Sequence, residues 1–385
     1  MHILVTGGAG FIGSHTVDAL LTKGHQVRIL DNLAKPVHTK GKPDYIPSEA
    51  EFILGDVRHK SDLERALQGI DIVFHLAAYQ DYLPDFSKFF QVNAVGTALI
   101  YEIIVEQSLP VQKVIVASSQ AVMGEGRYLC AGCGDVYPNI RELYRLQRRI
   151  WEPLCPVCGG EINPGLSDEA VKNPQNQYAM SKYSQEMIAI NLGRRYKIPS
   201  VGLRYSIVQG PRQSFYNAYS GAARIFCLYT FFKKAAKIYE DGHQIRDYIN
   251  IADVVSANLM VMEDVRADYE VFNVGGGTPY TVLELLEIVS GVFDSNLAPE
   301  ISGEFRFGDT RHIISDISKL KALGWEPKYT PQKSIKDYKD WLKEQVDIED
   351  ILNYVELELK RLKVVRSVDA ASYMVDGGNF RGLTW

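Results

Sequence analysis

Five cysteines in 385 residues are too few for a disulfide framework, and four of them sit in two Cys-x-x-Cys pairs that leave Cys227 alone. That pattern suits a reducing compartment. An excess of positive charge is also missing. Lys and Arg number 42 against 47 Asp and Glu, a net charge of −5, so no basic footprint for nucleic acid is present. No uninterrupted apolar run reaches the roughly 18 residues that a membrane-spanning helix needs, and no membrane association is expected. The opening MHILVTGG reads directly as a strand rather than as a signal peptide. Internal repeats and low-complexity tracts are absent. What remains is a globular, cytoplasmic protein of one large or two medium domains.

What is present is alternation. Short β-rich runs at His2–Val5, Gln26–Leu30, Glu51–Leu54, Ile70–Leu76, Val111–Ala117 and Ser200–Leu203 enclose helical patterns such as Phe11–Leu21, Ser61–Leu67 and Phe89–Glu106. Ser61 and Glu64 have the spacing of a capping box at a helix start. Strand–helix alternation predicts an α/β fold with a doubly wound parallel sheet and helices on both faces. Two regions break the rhythm. Residues 125 to about 165 hold the cysteine pairs and the charged stretch RELYRLQRRIW, which reads as helical. After about residue 205 the alternation fades into a smaller mixed α/β domain, followed by a helical run at Val355–Val365 and a Gly-rich end.

TGGAGFIGSH (Thr6–His15) follows the first strand and opens a helix. Gly7, Gly10 and Gly13 are spaced G-x-x-G-x-x-G, which lets a pyrophosphate approach backbone N–H groups at a helix N-terminus. Asp31 ends the second strand, 18 residues after Gly13. A carboxylate there accepts hydrogen bonds from an adenosine ribose and repels a 2′-phosphate, favouring NAD over NADP.

Cys130, Cys133, Cys155 and Cys158 have the C-x₂-C…C-x₂-C spacing of a four-thiolate zinc site. A redox dithiol is the weaker reading, because two matched pairs exceed what that chemistry needs. Iron at the same four sulfurs, or thiols without a metal, also fits the spacing. Four sulfurs leave no open coordination position, so a zinc ion here would be structural.

Tyr178-Ala-Met-Ser-Lys182 opens a long helical segment. With this motif, the chain resembles the extended short-chain dehydrogenase/reductase family, specifically its NAD-dependent nucleotide-sugar epimerases and dehydratases. The resemblance covers about 1–125 and 166–340. It rests further on GDV at Gly55–Val57, HLAA at His75–Ala78, Asn93 in QVNAVGT, ASSQAVMG at Ala117–Gly124, LRYSIVQGP, RDYINIADV, FNVGGG, and the late FRFGDTRHIISDISKLKALGW.

The resemblance implies a Rossmann domain at 1–127 and 166–204 and a zinc-knuckle insert at 128–165. A substrate domain would span 205–345, with about 247–274 returning to the sheet, and a C-terminal extension 346–385. It implies Tyr178, Lys182 and Ser119 as catalytic residues. NAD contacts fall on Gly7, Gly10, Phe11, Ile12, Gly13, Asp31, Asn32, Asp56, Val57, Leu76, Ala77, Ala78, Asn93, Tyr178, Lys182 and Tyr205. Ser119, Gln120, Arg246 and Arg306 fall on the substrate, with the two arginines at the diphosphate. Asn93 also has two further roles open to it, orienting the Tyr178 helix or binding substrate. Family members commonly dimerise through a four-helix contact, here at about 89–107 and 178–196.

The chemistry agrees. Tyr and Lys four apart share a helix face. A free tyrosine, with a pKa of about 10, is a poor base at neutral pH. A nearby ammonium and the nicotinamide charge favour its phenolate. The two residues after Ser119 select the reaction within the family. Its 4,6-dehydratases carry Asp-Glu there, its decarboxylases a Glu and its 3,5-epimerases a Cys, whereas this chain has Gln120 and Ala121. Alanine transfers no proton. The expectation is an NAD-dependent C4 epimerisation of a nucleotide-diphosphate sugar. Action at another carbon, or a non-catalytic dinucleotide-binding scaffold with a zinc interaction module, is the alternative.

Similar Cys-x-x-Cys inserts occur in proteins resembling dTDP-L-rhamnose 4-epimerases, which points to a dTDP- or UDP-linked hexose or deoxyhexose. Met123, Ile207, Gln209 and Asn250 depart from the family pattern. The insert separates Ser119 from Tyr178, and two roles are open to it, a lid over the sugar pocket or a remote stability clip.

Overall fold

A computed structural model of the protein describes residues 1–216, 221–346 and 348–368. The Gly-rich end of the C-terminal extension, 369–385, lies outside these residues. Five strands come first: β1 (His2–Thr6), β2 (Gln26–Asp31), β3 (Glu51–Leu54), β4 (Ile72–His75) and β5 (Lys113–Ser119). The insert adds β6 (Tyr128–Cys130), β7 (Gly134–Val136) and β8 (Ile162–Pro164). Then come β9 (Ser200–Tyr205), β10 (Ile207–Gln209), β11 (Lys237–Ile238), β12 (Ile245–Asn250) and β13 (Glu270–Val274).

Seven strands form one sheet in the order β3-β2-β1-β4-β5-β9-β13, parallel throughout. The order reverses between β1 and β4, and a crevice opens at such a switch point. Side chains alternate across the pleat. Ile3 and Val5 therefore enter one core with Ile29, Phe74 and the helix Ile251–Glu263, while Leu4 enters another with Leu63, Ile100 and Ile103.

Several sequence expectations are corrected. Ser61 is not the N-cap of its helix, which begins at Lys60 with His59 before it and no side-chain cap. The capping box lies instead at Thr281 and Glu284. RELYRLQRRIW forms only the short turn Leu143–Leu146, because Arg141 and Trp151 are drawn into buried contacts at either end. Within 247–274, only Glu270–Val274 enters the large sheet. β12 pairs with β10 and Pro279–Thr281 in a separate one.

The helical run Phe86–Glu106 is long and apolar enough to cross a membrane by length and composition, with half of its most apolar window buried. A π-helical turn at Gln91–Val95 interrupts it, and its inner face packs on the helix Gln177–Tyr196.

The second domain has its own core, in which Phe226, Leu228, Leu285, Val289, Ile335 and Leu342 pack together. The helix Leu352–Arg361 adds Leu352, Val355 and Leu359 to it. The insert is a three-stranded antiparallel sheet, β7-β6-β8, with a small core of Tyr128, Val136 and Ile162 around Cys130 and Cys155.

Candidate active site between the two domains

The cradle is built by close backbone approach. A Cβ on Gly13 would lie 2.1 Å from the Gly7 carbonyl oxygen, and one on Gly7 would lie 2.7 Å from Ala77 Cα. Gly7 also has φ +70°, a conformation that favours glycine. These contacts draw β1, the helix Phe11–Thr22 and the Leu76–Ala77–Ala78 segment into one crevice. Gly10 caps that helix without a side-chain hydrogen bond, leaving the first-turn N–H groups open to an anion.

Asp31 accepts from the N–H groups of Ala9 (3.0 Å) and Leu33 (2.9 Å), which fixes its carboxylate at the end of β2. Asn32 donates to Asp56 at 2.9 Å. Burial pushes the Asp56 carboxyl up, but the Arg58 fork, its backbone N–H and Asn32 outweigh this and hold it well below the usual range. Val57 supports the same corner from beneath Gly96. Open first-turn N–H donors and a fixed strand-end carboxylate at the switch point suit a dinucleotide.

β5 and the helix Gln177–Tyr196 supply the reactive wall. Ser119 ends β5, and its Oγ accepts from Ala121 N–H at 3.2 Å. Asn176 caps the helix by accepting from Ala179 N–H at 2.8 Å, which places Tyr178 in the first turn. Lys182 lies one turn on and is buried. Its Nζ donates to Gln185 Oε1 at 2.5 Å, and Gln185 donates to Thr97 at 2.9 Å. Burial pushes the Lys182 ammonium down to about 7, with Glu186 opposing.

Asn93 is fully buried. Its amide donates to Tyr79 O (3.1 Å) and Ser181 Oγ (2.9 Å), and its Oδ1 accepts from Tyr79 N–H (2.8 Å). Those bonds tie the helix of Tyr178 to the loop after β4. Tyr205 lines the cavity and donates to Asn258 at 2.7 Å.

A cavity of about 400 Å³ lies beside the end of β5 and the start of the helix Gln177–Tyr196. Phe11, Ile12, Ser119, Gln120, Ala121, Tyr178, Tyr205, Arg246 and Arg306 all line it. Gln120 Oε1 is buried with no partner among the described residues. Arg306 donates to Tyr82 OH at 3.1 Å, and its guanidinium lies 4.8 Å from the ring centre of Tyr239. Arg246 donates to three backbone oxygens, those of Ile245 (3.0 Å), Arg311 (2.9 Å) and Thr310 (2.5 Å).

Tyr82, Tyr239, Gln80 and Lys237 also line the cavity, and no sequence motif marks them. Only folding brings them to the mouth. Among the departures, Ile207 lines the cavity, whereas Met123 packs on Val171 and Ile313. Asn250 caps the helix Ile251–Glu263 and bonds Ser334, a role remote from substrate. Gln209 is buried beside it with both side-chain polar atoms unpaired among the described residues.

The four cysteine sulfurs lie within 4.8 Å of one another, and Cys130 and Cys158 are 3.6 Å apart. Tetrahedral zinc thiolates at ~2.3 Å need sulfurs roughly 3.8 Å apart, so the cluster fits that ion. Among the described residues, none from 128–165 lines the cavity.

Residues 3–275 match the profile of the NAD dependent epimerase/dehydratase family. The chain belongs to that family. It is 30% identical to a dTDP-L-rhamnose 4-epimerase of Burkholderia thailandensis over 352 residues, which span 90% of this chain and 96% of the other. A UDP-glucose 4-epimerase of Halalkalibacterium halodurans is 29% identical over 363 residues, 89% of this chain and 96% of the other. Among solved structures, the UDP-glucose 4-epimerase of Thermotoga maritima with UDP-glucose superposes with a TM-score of 0.71 at 30% identity, covering 89% of this chain and 99% of that one. The Thermus thermophilus UDP-glucose 4-epimerase in complex with NAD gives 0.70 at 28% identity, covering 90% and 100%. Ser119 and Tyr178 line the same cavity as Phe11 and Ile12, the two residues that follow Gly10 in the cradle.

Proposed function

We propose that the protein is an NAD-dependent nucleotide-sugar 4-epimerase. One observation carries the reading. Ser119 and Tyr178 face a single cavity in which the two positions after the serine are Gln120 and Ala121, neither of them an acid or base. Proton transfer on that wall is left to the tyrosine. Bound in the cradle, NAD supplies reversible hydride acceptance at its nicotinamide. Tyr178 takes the proton of the C4 hydroxyl while Ser119 hydrogen-bonds the same oxygen. Lys182 favours the phenolate electrostatically. The keto sugar then turns within the cavity, so that hydride would return to the opposite face of C4 while Tyr178 returns the proton to the C4 oxygen. Arg306 and Arg246, both on the cavity wall, suit the diphosphate end.

A dTDP- or UDP-linked hexose or deoxyhexose is the substrate class. The test is incubation with a panel of such nucleotide sugars, read by NMR for inversion at C4. Inversion of at least one is expected, and inversion of none contradicts the proposal.

Cys130, Cys133, Cys155 and Cys158 would hold one structural Zn²⁺, which would supply a rigid cross-link between β6 and the 155–158 turn. A homodimer through the helices at about 89–107 and 178–196 is supported by exposed Val95, Val105, Met180 and Met187 on those elements. A cytoplasmic location suits the thiolate cluster.

A further inference from the structure

We propose that Arg141 is a positioning residue for the nucleotide-sugar diphosphate, acting from within the cysteine insert without touching substrate; the proposal rests on the nucleotide-sugar reading. Arg141 is buried at the junction of the insert and the substrate domain. Its guanidinium fork donates to both carboxylate oxygens of Glu240, at 2.9 and 2.8 Å. It also donates to the carbonyls of Trp151 (3.0 Å) and Asp309 (2.8 Å). Arg311 joins the same carboxylate at 3.0 Å, and its other donors reach Asp241 and Glu152. Arg141, Glu240 and Arg311 have side chains only 3%, 2% and 1% exposed.

Two features make this more than a clamp on the insert. Glu240 holds a left-handed backbone, φ +56°, which a non-glycine residue keeps only where its surroundings enforce it. Its neighbour Tyr239 lines the cavity beneath Arg306. Asp309, whose carbonyl Arg141 holds, lines the cavity on the other side of Arg306, next to the Thr310 carbonyl that Arg246 grips. One buried fork thus sets the spacing between Tyr239 and the Gly308–Thr310 segment, the two surfaces flanking Arg306. Ser119 and Tyr178 stand on separate elements, β5 and its neighbouring helix.

The consequence is a split between binding and chemistry. In Arg141→Lys, which keeps the buried charge but loses the fork, affinity for dTDP or UDP falls about tenfold. The apparent KM for the sugar substrate rises in step, while kcat stays within about twofold. Bound NAD and bound metal stay at wild-type stoichiometry. Arg141→Gln weakens nucleotide binding further, since it leaves Glu240 and Arg311 unbalanced. Calorimetric titration of the purified full chain with dTDP and with UDP, alongside steady-state kinetics, reads both. Wild-type affinity in a folded Arg141→Lys protein overturns the proposal alone, as does a fall in kcat with KM unchanged. A wild-type chain that binds neither nucleotide overturns the nucleotide-sugar reading and this proposal with it. If Arg141→Lys does not fold, Glu240→Gln, which keeps the shape but replaces one acceptor oxygen of the fork with an amide donor, carries the same test. Failure of both to fold overturns the proposal, because the contact is then structural only.

Discussion

The cavity has two walls of opposite construction. The cofactor and reactive wall is local and motif-driven: glycines within one turn of each other, a serine at a strand end, and a tyrosine and lysine one helical turn apart. The wall that carries Tyr239 and Gly308–Thr310 is braced from a distance, by residues that do not themselves line the cavity. Arg141, Glu240 and Arg311 come from segments about 70 to 170 residues apart and meet as buried charges. A motif wall fails when one atom is added or removed, whereas a charge-built wall shifts by degrees.

Removing the Tyr178 hydroxyl tests the first wall most severely. Tyr178→Phe is expected to lower kcat by about 10² to 10⁴, with NAD still bound, measured by epimerisation rate and cofactor absorbance. Adding one methyl to the cradle comes next. Gly13→Ala puts a Cβ at 2.1 Å from the Gly7 oxygen, so the turn must open. The purified variant is expected to lose most of its NAD and on the order of 2 kcal/mol of stability, read by cofactor content and chemical denaturation.

The insert is expected to respond differently. Cys133→Ser with Cys158→Ser should abolish binding of one equivalent of metal and lower the melting temperature by several degrees, as judged by elemental analysis and calorimetry. Because no described insert residue lines the cavity, kcat in the still-folded protein should change less than KM.

The smallest effect is a titration. Burial pushes the Glu125 carboxyl up to about 7, against the pull of Arg141 and the Arg311 N–H. A raised native pKa means that the native state holds its proton more tightly. Its contribution is therefore full below about pH 4.5 and is lost as pH rises towards 7. Glu125→Gln should flatten that part of the stability curve, measured as the difference from wild type in denaturant melts between pH 5 and 8.

The contrast between the walls also explains what was legible in the sequence. Strand alternation and the glycine spacing pointed to the sheet and cradle, because both depend on residues close in the chain. Ser119, Gln120 and Tyr178 were visible for the same reason. Tyr82, Tyr239 and Arg141 were not, since nothing in their local pattern sets them apart from solvated side chains. RELYRLQRRIW shows the cost of local reading. Its helical periodicity is overridden at Arg141 by a carboxylate 99 residues away. Ser61 fails likewise, because Lys60 has already begun the helix there.

The central claim is that C4 is inverted by withdrawal and return of the same hydride on the Tyr178 wall. Its most direct test is conversion of a dTDP- or UDP-hexose in D₂O, followed by proton NMR. The mechanism predicts C4 inversion with no deuterium on any ring carbon, since the C4 hydrogen never exchanges with solvent. Inversion accompanied by deuterium at C4 or a neighbouring carbon, or no inversion with any substrate of the class, would contradict it.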